Sequence, residues 1–502
     1  MKKLLFITLI LLTSCTTTVQ TIKSGTRNTN TPEDFGFSSD VFVQMIQTIK
    51  KEKLNVNSIL ITKDGQTVLN ANFYPQKPSY LHDVASVSKS ITSLMIGVAI
   101  DEGHIQSEKQ NIVDFFPKDA HLFENISAKQ ITIEQLLTMS SSICSDFRQG
   151  ETLREKMKTK DEPLKEALAN LSSSQNEKFV YCSVGVQILS MIISKATGMT
   201  LEEYTIKKLF KPLNITDYRF ATDQNGDTNA SGDIFLTAES LNKIGVLILN
   251  EGKYNGKQVI SKDWIQKSTS PQIKLSQEEL YGFLWWLRED LGGLIEGQGR
   301  GGQRLIILPK KKLVVVMFGT GFSNDKVGGY IAKALKSDTK IPNNPKGYTS
   351  LKEELKSIQK PYNLLTPKPI PALANEVYGK KYIFQKNEAG LTHFILNSKE
   401  NALNQFTIAL KTDNGKIETR EIPLAIDGTY KVSKATRFQT FMAARALWTD
   451  EKSIFIDYNE FSNAHKYNIN IRFDENKAIF SIQDEADYGE PTTISAKRET
   501  LN

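Results

Sequence analysis

The chain has 502 residues, 39% hydrophobic and 24% charged, a globular composition long enough for two or three domains. Its net charge of +7 is small for that length, and the lysines are mixed with acidic residues, which argues against a nucleic-acid partner. With 3 cysteines, and with no two of its 5 histidines at metal-ligand spacing, it shows neither a disulfide framework nor a zinc pattern, and nothing in it asks for a cofactor.

Met1-Lys2-Lys3 followed by the apolar run Leu4 to Leu12 has the charged start and short hydrophobic stretch of a secretory signal, too short to span a bilayer. The run closes with Leu12-Thr13-Ser14-Cys15, which resembles the lipobox of bacterial lipoproteins, where the signal is cut before a cysteine that is then lipidated. That resemblance implies a signal over 1–15, a membrane anchor on Cys15 and, with Thr16 in place of an acidic residue, an outer-membrane or periplasmic position in the cell envelope. Residues 16–31, rich in Thr, Ser and Asn, read as a flexible tether. Cys144 and Cys182 remain after processing, and their spacing leaves a bridge between them open.

Over 32–340, strand-like runs such as Ser58-Ile59-Leu60-Ile61-Thr62 alternate with helical patterns, giving an α/β or α+β body. Within it, Ser86-Val87-Ser88-Lys89 opens a helix whose apolar positions are Ile91, Leu94, Met95 and Val98. Residues three apart share a helical face. Ser86 in the first turn is placed to attack with its own amide aimed at the developing oxyanion, and Lys89 to take the hydroxyl proton when desolvation keeps it neutral. The spacing alone is unspecific, since it recurs at Ser240/Lys243, Ser323/Lys326, Ser337/Lys340 and Ser357/Lys360. Of the five pairs, Ser86/Lys89 opens a long apolar helix and has two further elements downstream. His82, beside it, reads as a satisfied polar neighbour.

Thr132-x-x-Gln135 and Thr200-x-x-Glu203 read as capping boxes, and Gly103 and Gly198 stand where helices end. Phe179-Val180-Tyr181-Cys182-Ser183 leads into the apolar helix from Val184 to Ala196, so Tyr181 and Ser183 can face the nucleophile from one loop, Tyr181 as proton relay. A core tyrosine at a helix entry is the competing reading. The third element is Gly297-Gln298-Gly299-Arg300-Gly301-Gly302-Gln303, whose glycines let backbone pass close to a substrate and whose Gln298, Gly299 and Arg300 are candidates for binding and for a second oxyanion amide. A plain hairpin turn is the alternative. Leu305 to Leu308 and Leu313 to Phe318 read as an antiparallel hairpin, and Trp285 and Trp286 as core before cleft wall.

Residues 341–373, with six prolines around a short charged helix from Leu351 to Gln359, read as a linker. Over 374–502, alternation as in Tyr467-x-Ile469-x-Ile471-x-Phe473, with turn signals at Asp413-Asn414-Gly415 and Asp427-Gly428, predicts a small antiparallel β domain, barrel or sandwich.

In order and spacing, these elements resemble the serine β-lactamase-related superfamily: class C β-lactamases, penicillin-binding proteins, related esterases and 6-aminohexanoate-oligomer hydrolases. Companion segments also match, namely Ile131 to Ser141, Phe210-Lys211-Pro212-Leu213 and Tyr281 to Trp286. The resemblance implies a central antiparallel sheet flanked by helices, with Ser86 as nucleophile, Lys89 as base and Tyr181 in the place of the Tyr-x-Asn motif, whose asparagine is Ser183 here. The Lys-Thr-Gly strand motif falls on Gly297-Gln298-Gly299, so its lysine is missing. The resemblance and its departures together imply a serine hydrolase of small-molecule or peptide-like esters or amides, more esterase, amidase or peptidase than β-lactamase, against the alternative of a binding or sensor module that lost turnover. The C-terminal part resembles the β domain appended to some members and is assigned no catalysis.

Overall fold

Strand alternation and helix caps set the architecture of the computed structural model, which describes residues 30–123, 129–158, 163–169, 178–222, 226–400, 402–412, 415–434, 440–485 and 490–499. The signal, Cys15, nearly all of the tether and the turn residues Asp413 and Asn414 lie outside the described residues.

The body runs through α1 (Ser39–Lys51), β1 (Val56–Lys63), β2 (Gln66–Asn72), α2 (Val87–Asp101), α3 (Phe147–Lys158), α4 (Ser183–Thr197) and α5 (Ala238–Leu249). It continues with β3 (Ile273–Lys274), β4 (Glu279–Tyr281), β5 (Trp286–Arg288), β6 (Leu294–Gly299), β7 (Gln303–Leu308), β8 (Leu313–Gly319) and α6 (Asn324–Ala334). The strands form one antiparallel sheet in the order β2-β1-β8-β7-β6-β5-β4-β3. The expected hairpin is β7 and β8, closing at Leu308 opposite Leu313. Because strand side chains alternate, β8 serves two cores at once. Val314, Val316 and Phe318 share one core cluster with residues of α2, α4 and α5, whereas Leu313, Val315 and Met317 share the other with residues of α1 and α6. Both anticipated capping boxes form, with Thr132 accepting from the Gln135 amide and Thr200 from the Glu203 amide, and α4 ends on Gly198 in the left-handed region.

Beyond the body, the charged helix is α7 (Pro345–Ser357), starting six residues earlier than its sequence pattern indicated. Asn344 caps it and Pro345 fills its first turn, where the missing N–H has no intrahelical partner in any helix. Leu351 and Ile358 are buried in the cluster that contains Phe42, Met45 and Ile49 of α1, so the first half of the span read as a linker is packed against the body.

The C-terminal strands are β9 (Lys381–Phe384), β10 (Leu391–Lys399), β11 (Ala402–Lys411), β12 (Ile417–Pro423), β13 (Lys431–Lys434), β14 (Phe441–Trp448), β15 (Ser453–Glu460), β16 (His465–Asp474), β17 (Lys477–Asp484) and β18 (Thr492–Arg498). They join as β12-β11-β10-β9-β18-β17-β16-β15-β14-β13, a nearly closed antiparallel barrel. Ile469, Ile471 and Phe473 point inward with Phe394, Phe480 and Trp448, as the period-two pattern requires. Arg445 and Asp457 form a buried ion pair, and Arg445 also donates to the carbonyls of Asn363 and Gly428, tying the end of the connecting segment to the barrel.

Candidate active site

Helix α2 is buried on all sides from Val87 to Ala99, and Ser86 sits at its N-cap, partly open to a cleft. The residue before it, Ala85, has φ 49°, a left-handed conformation that costs a non-glycine residue about 1–3 kcal/mol. Asp83 holds this turn, its Oδ1 accepting from the Ala85 amide at 2.8 Å. One helical turn on, Lys89 Nζ lies 2.8 Å from Ser86 Oγ and 2.7 Å from the carbonyl oxygen of Ser231. Lys89 is 3% exposed, and loss of water around the ammonium lowers its pKa from 10.5 to about 7. The cation keeps some support from Glu151, Asp233 and Asp83, while Arg154 opposes it.

Tyr181 arrives from the loop that precedes α4 and hydrogen-bonds Ser86 through its hydroxyl. Its ring stacks on Trp286 with centroids 6.1 Å apart, and the Lys89 ammonium stands 5.1 Å from its centre. Desolvation raises the phenol pKa well above its ordinary value, so Tyr181 is a neutral hydroxyl rather than a resident anion. The loop is tethered by a disulfide between Cys144 and Cys182, the pairing left open by sequence. Gly150 of α3 packs on that bridge, where an added Cβ would stand 2.8 Å from Cys144 Sγ. Its closeness brings α3, and with it Glu151, into the cleft.

Ser183 donates to Glu151 Oε1 at 2.6 Å, and Arg154 pairs with the same carboxylate at 3.1 Å. Burial pushes Glu151 up, but Arg154 and the Ser183 hydroxyl more than offset it and hold the carboxyl below its usual range. Asp83 goes the other way: burial and the Asp233 carboxylate raise it, and Arg300 offsets only part. Glu151, Asp83 and Asp233 all line the cleft, and sequence reading named none of them. Isolated carboxylates among 56 acidic residues have no distinctive spacing, although Asp83 stands only three residues before Ser86. His82 is the satisfied neighbour expected: Asn57 Nδ2 lies 3.0 Å from its Nε2, its Nδ1 bonds the Asp83 carbonyl, and burial lowers it to about 4.

The glycine run splits by strand parity. Gly299 lies so close to the turn before Ser86 that an added Cβ would be 2.6 Å from the Val84 carbonyl oxygen, and Arg300, next along, lines the cleft. Gln298, expected at the same site, faces the opposite side of β6, where its amide donates to Glu296 at 2.8 Å. Its side chain is therefore removed from the site, because alternate residues of a strand face opposite ways. Gly297 faces inward, with an added Cβ only 3.0 Å from Val87 Cγ1 and 3.3 Å from Ser90 Oγ, so a side chain here would need these neighbours to shift by a few tenths of an ångström. Trp285 is core at 0% exposure, whereas Trp286 backs Tyr181. Among the described residues, no three His, Cys, Asp or Glu side chains gather in a way that could hold a metal ion.

The site thus joins a serine on a helix N-terminus, a desolvated lysine one turn on and a tyrosine hydrogen-bonded to that serine, over an antiparallel sheet. The Beta-lactamase family model matches residues 44–338, more than half of the chain. The chain belongs to that family. It therefore stands among the serine hydrolases of the β-lactamase fold. It is 25% identical over 260 residues to the 6-aminohexanoate-dimer hydrolase of Paenarthrobacter ureafaciens, covering 48% of this chain and 66% of that one. It is also 27% identical over 199 residues to protein flp of Staphylococcus aureus (strain MRSA252), covering 36% of this chain and 39% of that one. The chain thus spans less than two thirds of the length of either relative. A β-lactamase-type structure from Bacteroides dorei superposes at a TM-score of 0.50 and 15% identity, over 60% of this chain and 100% of that one, a likeness of fold.

Proposed function

We propose that the chain is an envelope-anchored serine hydrolase that cleaves an ester or amide bond through an acyl-enzyme on Ser86, and that it prefers simple esters to β-lactams. The observation that carries the reading is Lys89 Nζ, 2.8 Å from Ser86 Oγ with its pKa lowered to about 7. Near neutral pH a large share of Lys89 is uncharged and accepts the Ser86 proton as Oγ attacks the carbonyl carbon. The oxyanion takes hydrogen bonds from the backbone amides of Ser86 and Arg300, and the proton that Lys89 took from Ser86 is relayed through Tyr181, which ends as a neutral phenol, to the leaving oxygen or nitrogen as the bond from that atom to the acyl carbon breaks. Water then attacks the ester on Ser86 with the proton transfers reversed, releasing the acid. A relative described as a 6-aminohexanoate-dimer hydrolase supports acyl hydrolysis in general.

The ester preference rests on Gly297. A β-lactam carries a carboxylate that an ammonium on this strand would hold by charge-assisted hydrogen bonds, and Gly297 faces Val87 and Ser90 instead. For the envelope, the support is Leu12-Thr13-Ser14-Cys15 together with the Cys144–Cys182 bridge, which suits an oxidising compartment. The test is kcat/KM for p-nitrophenyl butyrate against nitrocefin on one preparation. A higher value for the butyrate is expected; a clear preference for nitrocefin overturns the ester assignment and directs attention to Arg300 as the carboxylate anchor.

A further inference from the structure

Among the described residues, none from the C-terminal barrel lines the cleft around Ser86, yet one of the barrel's turns is buried against the catalytic body. Between β15 and β16 the chain makes a tight turn, Phe461–Asn463, followed by Ala464 at φ 57°. Phe461, Ser462 and Ala464 are all 0% exposed. A module merely tethered by a linker would present a wet, polar surface here.

The contacts of this turn converge on the residues around the nucleophile. Asn57 Nδ2, on β1, donates to the Phe461 carbonyl at 3.3 Å and to Thr320 Oγ1 at 2.9 Å, and lies 3.0 Å from Nε2 of His82, the neighbour of Asp83. Tyr80 stacks on Phe441 of the barrel at 3.8 Å and on Phe461 at 6.1 Å. Ala464 faces Gly301: a Cβ on that glycine would stand 3.1 Å from the Ala464 Cβ and 3.2 Å from its carbonyl oxygen. From within the body, the Gln303 amide holds the Arg300 carbonyl at 2.8 Å, and the Gly321 amide holds the Gly301 carbonyl at 3.0 Å. The backbone from Arg300 to Gly302 is thus gripped by the body on one side and met by the barrel on the other. Gly301, at φ 75°, has neither a side chain to lock it nor a conformation that a side chain would favour.

We infer that the barrel turn Phe461–Ala464 is a positioning element for the Arg300–Gly302 turn, so that the barrel completes the oxyanion side of the site. The inference rests on acyl transfer at Ser86, because the turn matters for catalysis only if the Arg300 amide receives an oxyanion. Displacement of a catalytic group by about 1 Å can cost about a hundredfold in rate, and the loss falls on kcat when the group acts mainly in the transition state.

The test uses the full chain. In Ala464→Asn the left-handed backbone is retained, since asparagine tolerates it, while the larger side chain pushes on Gly301. For p-nitrophenyl butyrate, kcat per folded molecule should fall by about tenfold or more with KM within about threefold, the folded fraction being counted by circular dichroism because unfolded protein also lowers apparent kcat at unchanged KM. Glu475→Asn, at an exposed turn with φ 50° in the same barrel, is the control and should match the wild type. A folded Ala464→Asn protein with wild-type kcat overturns the inference. Should that variant fail to fold, Gly301→Ala and its pairing with Ala464→Gly decide: relief of the clash should recover at least threefold of the lost kcat, and no recovery overturns the inference. Failure of the acyl-transfer reading is scored separately, by wild-type turnover in Ser86→Ala.

Discussion

Replacing Lys89 by methionine should abolish turnover and at the same time stabilise the fold in acid. Lys89 is 3% exposed, and its pKa falls from 10.5 to about 7 on burial. At 1.36 kcal/mol per pH unit, holding the proton in the folded state costs about 5 kcal/mol relative to the unfolded chain. Between pH 7 and 10.5 the unfolded chain carries a proton that the folded one has released, so this lysine makes stability rise with pH across that window and contributes its full penalty below it. Methionine fills similar space without the ammonium. Against the gain stand the bonds from Nζ to Ser86 Oγ and the Ser231 carbonyl, each worth about 1 kcal/mol net, so the variant should be more stable than wild type by about 3 kcal/mol at pH 6. Urea unfolding of both proteins at pH 6, 8 and 10 reads the difference, in which all other titrating groups largely cancel. The advantage of the variant should shrink by up to about 1.4 kcal/mol per pH unit above pH 7. A difference that stays constant from pH 6 to 10 would refute the desolvated-base argument.

Glu151→Gln removes the carboxylate that most favours the charged form of Lys89, leaving Asp233 and Asp83 to favour it and Arg154 to oppose it. The acid limb of kcat/KM should therefore move to lower pH; an unmoved or raised limb contradicts the assigned electrostatics. Arg445→Ala strands the buried Asp457 carboxylate and should cost the barrel about 3–5 kcal/mol by urea unfolding, with a loss under about 1 kcal/mol counting against the pair. Cys15→Ser should shift the protein out of the detergent phase of a membrane extract, and equal partitioning of mutant and wild type would end the lipoprotein reading.

Ser86 and Lys89 were legible because three residues on a helix return to one face, and the long apolar helix behind them separated this pair from four others with the same spacing. Tyr181 was legible as a tyrosine two residues before a second buried helix. The glycine run announced a close backbone approach, but the face each side chain takes depends on strand register, which misplaced Gln298. Glu151 sits on a helix with Arg148, Arg154 and Lys156 and so reads as solvated surface; a disulfide of sequence separation 38 brings the turn before that helix to the Tyr181 loop. Pairing of that kind, like the contact of Ala464 with Gly301, is a long-range event that local pattern does not encode. The barrel strands, in contrast, came directly from alternation such as Ile469, Ile471 and Phe473.

Nucleophilic attack by Ser86 is tested most directly by intact-mass analysis after treatment with a fluorophosphonate probe at pH 8. A single adduct on the wild type, mapped to Ser86 and absent from Ser86→Ala, is the expected result, with labelling strongly slowed in Lys89→Met. Equal labelling of wild type and Ser86→Ala would contradict the assignment of the nucleophile, and no adduct on the wild type with any such probe would favour a binding module that has lost turnover.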